Sequence, residues 1–321
     1  MIKIKKFTET DFEFYAITRL YNLVSHDDIT HIDDEKDDWS IRDKNTVRDR
    51  LLLYKEDMVI GFLRYGQGRE KNKQKCFFNI FIDPDYNGFK YRQLLYDEML
   101  KEVNKFNCNG LYMDVYEHPN YDNSKKFLIK NGFNNKFSVR ESSLDLSIVD
   151  FKKYSLLLEK LDQKGIKFYD GRDELSKKPD YYKKLEELRW IFSQDFPMPE
   201  GIVMERGPYD QFLKYQQLFE KKRYGVEIIA TYGDKYVGST DIHIYPNSDP
   251  HKAWTGGLGV LREYRRQGIA TALKVKAFIK LRAKGVSLVR TDNEENNPMY
   301  LINVALGFKP EPYCYEYQKK I

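Results

Sequence analysis

A short basic segment, Val260–Ala270 (VLREYRRQGIA), combines residue types that can hold a phosphate group. A predicted strand ends at its first residue, and a predicted helix begins near Gly268. The free N–H groups at a helix N-terminus carry partial positive charge and bind anions. Arg265 and Arg266 add charged hydrogen-bond donors, while Gly268 and Ala270 leave room for a ligand to approach the backbone. The segment therefore predicts a cradle for a pyrophosphate.

The sequence around this cradle carries a resemblance to a known family. A strand precedes it, the helical sequence ATALK follows it, and an N-x-x-M…N-x-x-LGF pattern lies further downstream. The residues of that pattern are Asn296, Met299, Asn303, Leu306, Gly307 and Phe308. In this context Arg265-x-x-Gly268-x-Ala270 resembles the R/Q-x-x-G-x-G/A motif of the GNAT superfamily of acetyl-CoA-dependent N-acetyltransferases. The alternative is a basic helix N-terminus that binds no ligand.

The resemblance implies acetyl-CoA as co-substrate, no metal, and a set of cofactor-binding residues. In the family, main-chain groups of the strand before the cradle bond to the pantetheine arm, which here means Leu258, Gly259 and Val260. The cradle that would hold the pyrophosphate comprises Arg265, Arg266, Gln267, Gly268, Ile269, Ala270 and Thr271. Asn296 is expected beside the cofactor on the next strand-to-helix turn, and a helix N-cap explains it equally well.

Asn303 marks a departure from the family pattern. The family often has a tyrosine at this position, which protonates the departing CoA thiolate. An amide cannot give up a proton, but it can donate a hydrogen bond to the thiolate or to the pantetheine, with solvent reprotonating the sulfur. Tyr300, one helical turn earlier, can substitute only if it faces the cleft. The general acid is therefore left unassigned.

The general base must be a positioned carboxylate or histidine that deprotonates the acceptor ammonium. Asp241 and His243 alternate along the predicted strand Lys235–Tyr245, on the face assigned also to Val237 and Ser239. They are candidates for the acceptor cleft, and a solvent-facing edge of the strand explains them equally well.

Two acidic residues give further acceptor-site candidates. Asp195 and Glu205 lie in the loop-rich segment FSQDFPMPEGIVMERGPYDQF, where the family usually covers its acceptor. The prolines of this segment are expected to give it a fixed shape.

Two long passages of the chain share one pattern, which predicts a tandem duplication. Residues 77–103 and 254–281 each run from a strand through a polar turn into a helix, and each is followed by a strand and a helix that ends in Gly-Phe. We predict two GNAT-like domains, 1–150 and 151–321. Each is expected to be an α/β (α+β) domain, with a mixed, mostly antiparallel sheet flanked by helices.

The first copy lacks the cradle chemistry. Asn87 stands in place of Arg265, and Lys90 and Arg92 replace the two small residues. We expect the N-terminal domain to be structural or to shape the acceptor site, without binding acetyl-CoA productively; the alternative is that the two basic side chains grip phosphates. Tandem GNAT proteins with one decayed copy include mycothiol synthase-like and antibiotic-modifying enzymes.

Charge is divided unevenly along the chain. The net charge of +5 separates into −2 for residues 1–150 (24 basic, 26 acidic) and +7 for residues 151–321 (30 basic, 23 acidic), and a basic half suits a phosphate-bearing ligand. The stretch His26–Asp38 holds seven carboxylates and one lysine. It would attract a polycationic acceptor such as an aminoglycoside or a polyamine, and a solvated acidic loop is the alternative.

Composition excludes several other classes of protein. No apolar run is long enough to cross a membrane, no secretory signal is visible at the N-terminus, and no basic stripe with interleaved aromatics suggests nucleic acid. Three scattered cysteines favour neither a disulfide framework nor a zinc site. A cytoplasmic protein, monomeric or homodimeric, is expected.

These observations together predict transfer of an acetyl group from acetyl-CoA to a primary amine of a small molecule, by direct attack in a ternary complex. A non-catalytic acyl-CoA-binding sensor or scaffold is the alternative from another class. A longer or charged acyl donor is also compatible with the sequence.

Overall fold

A computed structural model describes residues 1–25, 27–68, 74–106, 108–198, 203–222, 224–295 and 297–321. They divide into two compact units. The N-terminal unit comprises Met1–Val139, Met198–Glu205 and Pro312–Ile321, and the C-terminal unit comprises Arg140–Pro197 and Arg206–Glu311. Among the described residues, no helix has both the length and the apolar character that a membrane span requires.

The elements of the first copy follow the predicted order. They are β1 (Ile2–Lys6), α1 (Asp11–Val24), α2 (Ile32–Ser40), β2 (Arg48–Lys55), β3 (Met58–Gln67), β4 (Lys75–Ile82), α3 (Phe89–Val103), β5 (Gly110–Tyr116), α4 (Asp122–Lys130) and β6 (Asn134–Asp145).

The second copy repeats this order after one additional helix. Its elements are α5 (Ser155–Gln163), β7 (Ile166–Asp170), α6 (Tyr181–Ser193), α7 (Tyr209–Lys222), β8 (Val226–Tyr232), β9 (Lys235–Tyr245), β10 (Asp249–Val260), α8 (Ile269–Ala283), β11 (Leu288–Asn293), α9 (Pro298–Leu306) and β12 (Lys309–Lys320).

The sheet of the N-terminal unit has the strand order β1-β2-β3-β4-β5-β12. Neighbouring strands are antiparallel except β4 and β5, which run parallel. Apolar residues of α3 and α4 pack on one face of the sheet. Those of α1, with Trp39 of α2, pack on the other. The expected mixed, mostly antiparallel sheet flanked by helices is confirmed.

The sheet of the C-terminal unit has the order β6-β11-β10-β9-β8-β7, with β10 and β11 as its parallel pair. α5, α8 and α9 contribute to the core on one face, and α6 packs on the other. The face covered by α6 is where the candidate catalytic side chains lie.

The last strand of each copy joins the sheet of the other unit. β6 follows the first Gly-Phe sequence but pairs with β11 through residues 140–145. β12 follows the second Gly-Phe sequence but pairs with β5 through residues 314–320. A boundary at residue 150 separates the two copies along the sequence. As a boundary between two folded domains, it stays a prediction.

The acidic stretch His26–Asp38 is helical over much of its length, since α2 begins at Ile32; His26 itself lies outside the described residues. One of its carboxylates is neutralised within the N-terminal unit, where Glu35 pairs with Arg50. Its one lysine, Lys36, pairs at 2.6 Å with Asp11, which lies outside the stretch. The attraction of a polycation to this stretch stays a prediction.

Candidate active site

The strand, turn and helix expected around the cradle are all present in the C-terminal unit. β10 ends at Val260, a short 3-10 turn covers Arg262–Tyr264, and α8 begins at Ile269. Gly268 is the N-cap of the helix and no side chain caps it, so the first N–H groups of α8 are free of a side-chain partner. Such an end binds an anion through its backbone.

Two residues of the cradle adopt left-handed backbone conformations, Arg266 at φ 61° and Gly268 at φ 86°. A residue with a Cβ is strained in this region. A Cβ at Gly268 would also lie 2.7 Å from Cδ1 of Leu157, on α5. The structure thus requires glycine for its conformation and for close packing of α5, in addition to the phosphate approach that the sequence suggested.

The arginines beside the cradle are held by Asp195. Arg265 donates from Nε to the carbonyl of Val260 at 2.8 Å and from Nη2 to Asp195. Arg262 donates to the same carboxylate, at 3.1 Å from its Nε. Hydrogen bonds from Arg262 and then Arg265 hold the pKa of Asp195 well below its ordinary value. Asp195, a candidate for the acceptor site, therefore lies against the cradle arginines.

The strands β10 and β11 separate just before the cradle. Among the residues that the structure describes, they pair where Lys252–Trp254 meet Leu288–Arg290 and not beyond. Thr255 then donates a 2.6 Å hydrogen bond to the hydroxyl of Thr291. Farther along, Leu258, Gly259 and Val260 remain paired with β9 alone. Main-chain groups on the β11 side of this stretch are thus free to bond an extended ligand arm.

Asp241 and His243 lie together on the α6 face of β9. Nε2 of His243 is 2.7 Å from Oδ2 of Asp241, and its Nδ1 is 3.4 Å from the hydroxyl of Tyr215, on α7. Asp241 is 6% exposed and His243 half-buried. Phe219 packs edge-on against the imidazole, with the ring centres 4.7 Å apart.

A bulge in β10 lies directly beside this pair. Thr255 pairs with Ile242 and Leu258 with Thr240, so β10 holds one residue more than β9 between these two pairs. A Cβ at Gly256 would lie 2.6 Å from Oδ2 of Asp241 and 2.7 Å from Nε2 of His243. Glycine at this position is therefore what admits both side chains.

A buried charge network supports Asp241. Glu227, opposite it on β8, is fully buried. Arg189 of α6 contacts both carboxylates, at 2.5 Å from Glu227 and 3.3 Å from Asp241. Tyr181 donates to Glu227 at 2.8 Å. Burial opposes ionisation of Asp241, but Arg189 and then His243 outweigh it and hold its pKa well below the ordinary value.

One sequence-based assignment on β9 was wrong. Val237 was placed on the face of Asp241 and His243, but it packs in the opposite core with Ile242 and Ile244. The cause is a register shift between β8 and β9 at Ala230/Thr231, which reverses the alternation at this point. Periodicity alone cannot locate such a bulge.

Several residues of the network were missed from the sequence. Arg189, Glu227, Tyr181 and Tyr215 come from other elements, and no spacing links them to Asp241. A usable signal was the pair Gly256-Gly257 in the middle of a strand, because glycine inside a strand often marks a bulge or a close approach.

Asn303 is 1% exposed and its Nδ2 donates a 2.5 Å hydrogen bond to Oδ1 of Asn293, at the end of β11. Its own Oδ1 is buried without a hydrogen-bond partner among the described residues. The N-cap of α9 is Asn297, which accepts from the N–H of Met299 at 3.0 Å. Asn296 lies outside the described residues. Glu205 belongs to the N-terminal unit.

The corresponding turn of the N-terminal unit differs in conformation and contents. Gly88, the N-cap of α3, has φ −123°, unlike Gly268. Arg92 is 3% exposed and bends back to donate a 2.5 Å hydrogen bond to Oδ1 of Asn87. Burial lowers the pKa of Arg92 to about 10. Its side chain thus occupies the start of the helix, which supports the expectation that this copy lacks a working cradle.

Comparison with known proteins agrees with this geometry. Residues 185–307 match the Acetyltransferase (GNAT) family. This match lies within the second copy, which therefore carries a GNAT acetyltransferase domain. No significant match is found among curated proteins.

Similar solved structures share this fold over most of both chains. A tandem GNAT protein from the clavulanic acid biosynthesis pathway has a TM-score of 0.76 at 18% identity, over 100% of this chain and 98% of that one. A GCN5-related N-acetyltransferase from Sphaerobacter thermophilus has 0.67 at 15%, over 99% and 95%. A putative acetyltransferase from Pyrococcus horikoshii has 0.59 at 10%, over 100% and 89%. These likenesses establish the fold.

Proposed function

We propose that the C-terminal unit transfers an acetyl group from acetyl-CoA to a primary amine of a small molecule by direct attack. The observation that carries this proposal is the position of the His243–Asp241 pair. The pair, on β9, adjoins the bulge at Gly256 of β10. The residues of β10 after this bulge separate from β11 and lead into the cradle at the start of α8. A base, a path for a thioester arm and an anion-binding helix end therefore follow one another along β10 and α8.

The residues of this unit suit the donor. Free N–H groups at the start of α8 fit a pyrophosphate, and the unpaired side of Leu258–Val260 fits the amides of a pantetheine arm. The unpartnered Oδ1 of Asn303 is a further acceptor near the end of β11. Acetyl-CoA, when bound, supplies the activated acetyl group as a thioester.

His243 is the proposed general base. Because Asp241 stays ionised, Nε2 of His243 donates to it, which leaves the lone pair on Nδ1. Nδ1 takes a proton from the acceptor ammonium, directly or through the Tyr215 hydroxyl. The neutral amine then attacks the carbonyl carbon, and a main-chain N–H of β10 stabilises the oxyanion.

Collapse of this intermediate breaks the carbon–sulfur bond, the sulfur leaves as a thiolate, and the nitrogen releases its second proton to solvent to give the amide. Asn303 has no acidic proton to give, so solvent protonates the sulfur. An amide of the Asn293–Asn303 pair is suited to bonding the sulfur or the pantetheine in the meantime.

The aromatic side of the site favours a cationic acceptor. The carboxylates Glu227 and Asp241 are bridged by Arg189, and the guanidinium of Arg172 also acts on Asp241, so the rings carry this argument. The aromatic rings of Tyr215 and Phe219 beside His243 add a surface that attracts ammonium groups. Polyamines and aminoglycoside antibiotics are the acceptor classes we would test first.

Release of free CoA thiol across a panel of amines tests the proposal, with acetyl-CoA and longer acyl-CoA donors compared. Turnover with an amine is expected, and His243→Gln is expected to reduce it strongly. Tight acetyl-CoA binding without turnover on any amine would instead identify an acyl-CoA-binding sensor. The observation that favours this alternative is Asn303, which stands where the family often has a tyrosine.

A further inference from the structure

Three arginines of the N-terminal unit lie on one face of its sheet. Arg48 and Arg50 are alternate residues of β2, and Arg64 on β3 lies directly opposite Arg50 in the register. The face is the one covered by α1 and α2, because Leu52 and Phe62, two residues along from Arg50 and Arg64, pack into that core. We refer to Arg48, Arg50 and Arg64 as the arginine cluster.

The cluster has more positive charge than its neighbours neutralise. Arg50 pairs with Glu35 of α2. Arg64 donates from Nε to the neutral amide of Asn79, at 2.9 Å. Among the described residues, no carboxylate forms an ion pair with Arg48 or Arg64, although Asp38 and Glu35 attract Arg48 from farther away. In the described part of the chain, two of the three positive charges therefore have no ion-pair partner.

The buried member of the cluster has an unused donor. Arg50 is 4% exposed, and its Nη1 is buried with no hydrogen-bond partner among the residues that the structure describes. An unsatisfied buried donor on a charged group is costly. Its presence points to a partner that the protein chain itself does not provide.

Electrostatics within the cluster are unfavourable without an anion. Burial lowers the pKa of Arg50, Glu35 offsets part of this, and Arg64 adds to it. Arg48 is the solvent-exposed member. Partial desolvation of its guanidinium nevertheless lowers its pKa, and the charges of Arg64 and Arg50 lower it further. Arg64 thus disfavours the charge of both Arg48 and Arg50, and an oxyanion among the three would offset that repulsion.

The same positions in the C-terminal unit carry the opposite charge. There, Glu227 and Asp241 face each other across β8 and β9, the strands equivalent to β2 and β3, and Arg189 bridges them from a covering helix. In the N-terminal unit the facing pair is Arg50 and Arg64, and the covering helix contributes Glu35. The two copies therefore place charged clusters of opposite sign at one position of the fold.

We propose that the arginine cluster binds the carboxylate of a small organic acid, in a ligand site of the N-terminal unit that is separate from the acyl-transfer site. Aromatic rings lie against two of the guanidinium groups: Trp39 is 4.4 Å from Arg50, and Phe81 is 5.6 Å from Arg64. A ring packed on the face of a guanidinium leaves the N–H groups along its edge available. Two of these N–H groups can donate parallel hydrogen bonds to the two oxygens of a carboxylate.

A carboxylate is favoured over a phosphate by the burial of the site. Arg50 is almost fully enclosed. A phosphate concentrates up to two negative charges on the one group that enters, whereas each carboxylate group carries one, so a carboxylate loses less hydration on entry. The aromatic residues near the arginines would pack against the carbon skeleton of an organic acid. Inorganic phosphate is accordingly the competing probe in the test.

Calorimetric titration of the full chain with sodium malonate, at constant ionic strength maintained with chloride, tests the proposal. Saturable malonate binding is expected, at least tenfold weaker in Arg64→Gln. Arg42→Gln is the matched control, because Arg42 stacks on Trp39 and pairs with Glu9 but lies outside the cluster. Its malonate affinity is expected to equal that of the wild type.

Three results would overturn the proposal. They are the absence of saturable malonate binding, equal affinity in Arg64→Gln and wild type, and saturable binding of phosphate with none of malonate. If Arg64→Gln does not fold, Arg48→Gln at the exposed end of the cluster takes its place, with a loss of several-fold expected. None of these readouts depends on acetyl transfer.

Discussion

The imidazole of His243 and the carboxylate of Asp241 are joined by a 2.7 Å hydrogen bond on the α6 face of β9. Because Asp241 is kept ionised by Arg189 and His243, it fixes the tautomer of the imidazole and would stabilise the imidazolium formed during proton transfer. The pair is thus arranged as a base with an orienting carboxylate.

We expect His243→Gln to lower kcat for amine acetylation by about 10²- to 10⁴-fold, the usual contribution of a general base. KM for acetyl-CoA should change little, since the donor contacts lie on β10 and α8. Steady-state thiol-release kinetics measure both. His251→Gln is the matched control, because His251 lies on β10 with its Nδ1 bonded to the Gly285 carbonyl. Equal rates in the two variants would contradict the assignment of His243.

Gly256→Ala tests the same pair through the backbone. The added Cβ meets Asp241 at 2.6 Å and His243 at 2.7 Å, closer than carbon tolerates, so the two side chains must separate. Activity should fall by about tenfold or more through misplacement of the base, while acetyl-CoA affinity persists. Gly207→Ala, where nothing lies within 4 Å of the new Cβ, should retain full activity. Unaltered kinetics in Gly256→Ala would show that the pair has no role.

What the sequence could predict was local. The strand–turn–helix order around Gly268 and the bounds of β9 follow from hydrophobic periodicity and glycine placement, and the structure reproduces both. Asp241 and His243 share a face because they are two residues apart on one strand. Their direct hydrogen bond was not predicted, because it depends on the space left by a bulge on the neighbouring strand.

The features that sequence analysis missed depend on distant parts of the chain. Arg189 and Glu227 are 38 residues apart, and their contact is set by how α6 packs on the sheet. The exchange of β6 and β12 between the two sheets is a matter of topology, which local patterns do not encode. Asp195 appeared as an acceptor residue because of its loop, and only its ion pairs reveal its link to Arg262 and Arg265.

Gly268→Ala is expected to weaken acetyl-CoA binding by about tenfold or more, because a Cβ in this left-handed conformation is strained and meets Leu157 at 2.7 Å. Gly285→Ala provides a control with the same backbone strain, since Gly285 has φ 87° at the other end of α8 and nothing within 4 Å of its Cβ. Calorimetric titration of both variants with acetyl-CoA distinguishes a loss of binding at the cradle from a general loss of stability caused by backbone strain. An equal loss in both variants would refute the cradle, and an equal loss in Gly88→Ala would refute a single working copy.

Lys274 offers a test of stability rather than catalysis. It lies within α8 at 3% exposure, its Nζ 5.4 Å from the ring of Phe308. Burial lowers its pKa from the ordinary 10.5 to about 7. Between these values the unfolded chain binds the proton more strongly than the folded one, so this group makes stability rise as pH increases from about 7 towards 10.5. Below that window the full penalty of a buried ammonium applies.

Lys274→Met should therefore stabilise the protein at pH 7 by roughly 2–4 kcal/mol, since the apolar side chain fills the space without a charge to desolvate. The variant should also lose the component of stability that rises between pH 7 and pH 10 in the wild type. Urea unfolding at several pH values measures both effects. Lys276→Met is the control, because Lys276 lies exposed on the same helix and should alter neither. Identical pH profiles for Lys274→Met and the wild type would show that Lys274 reaches solvent.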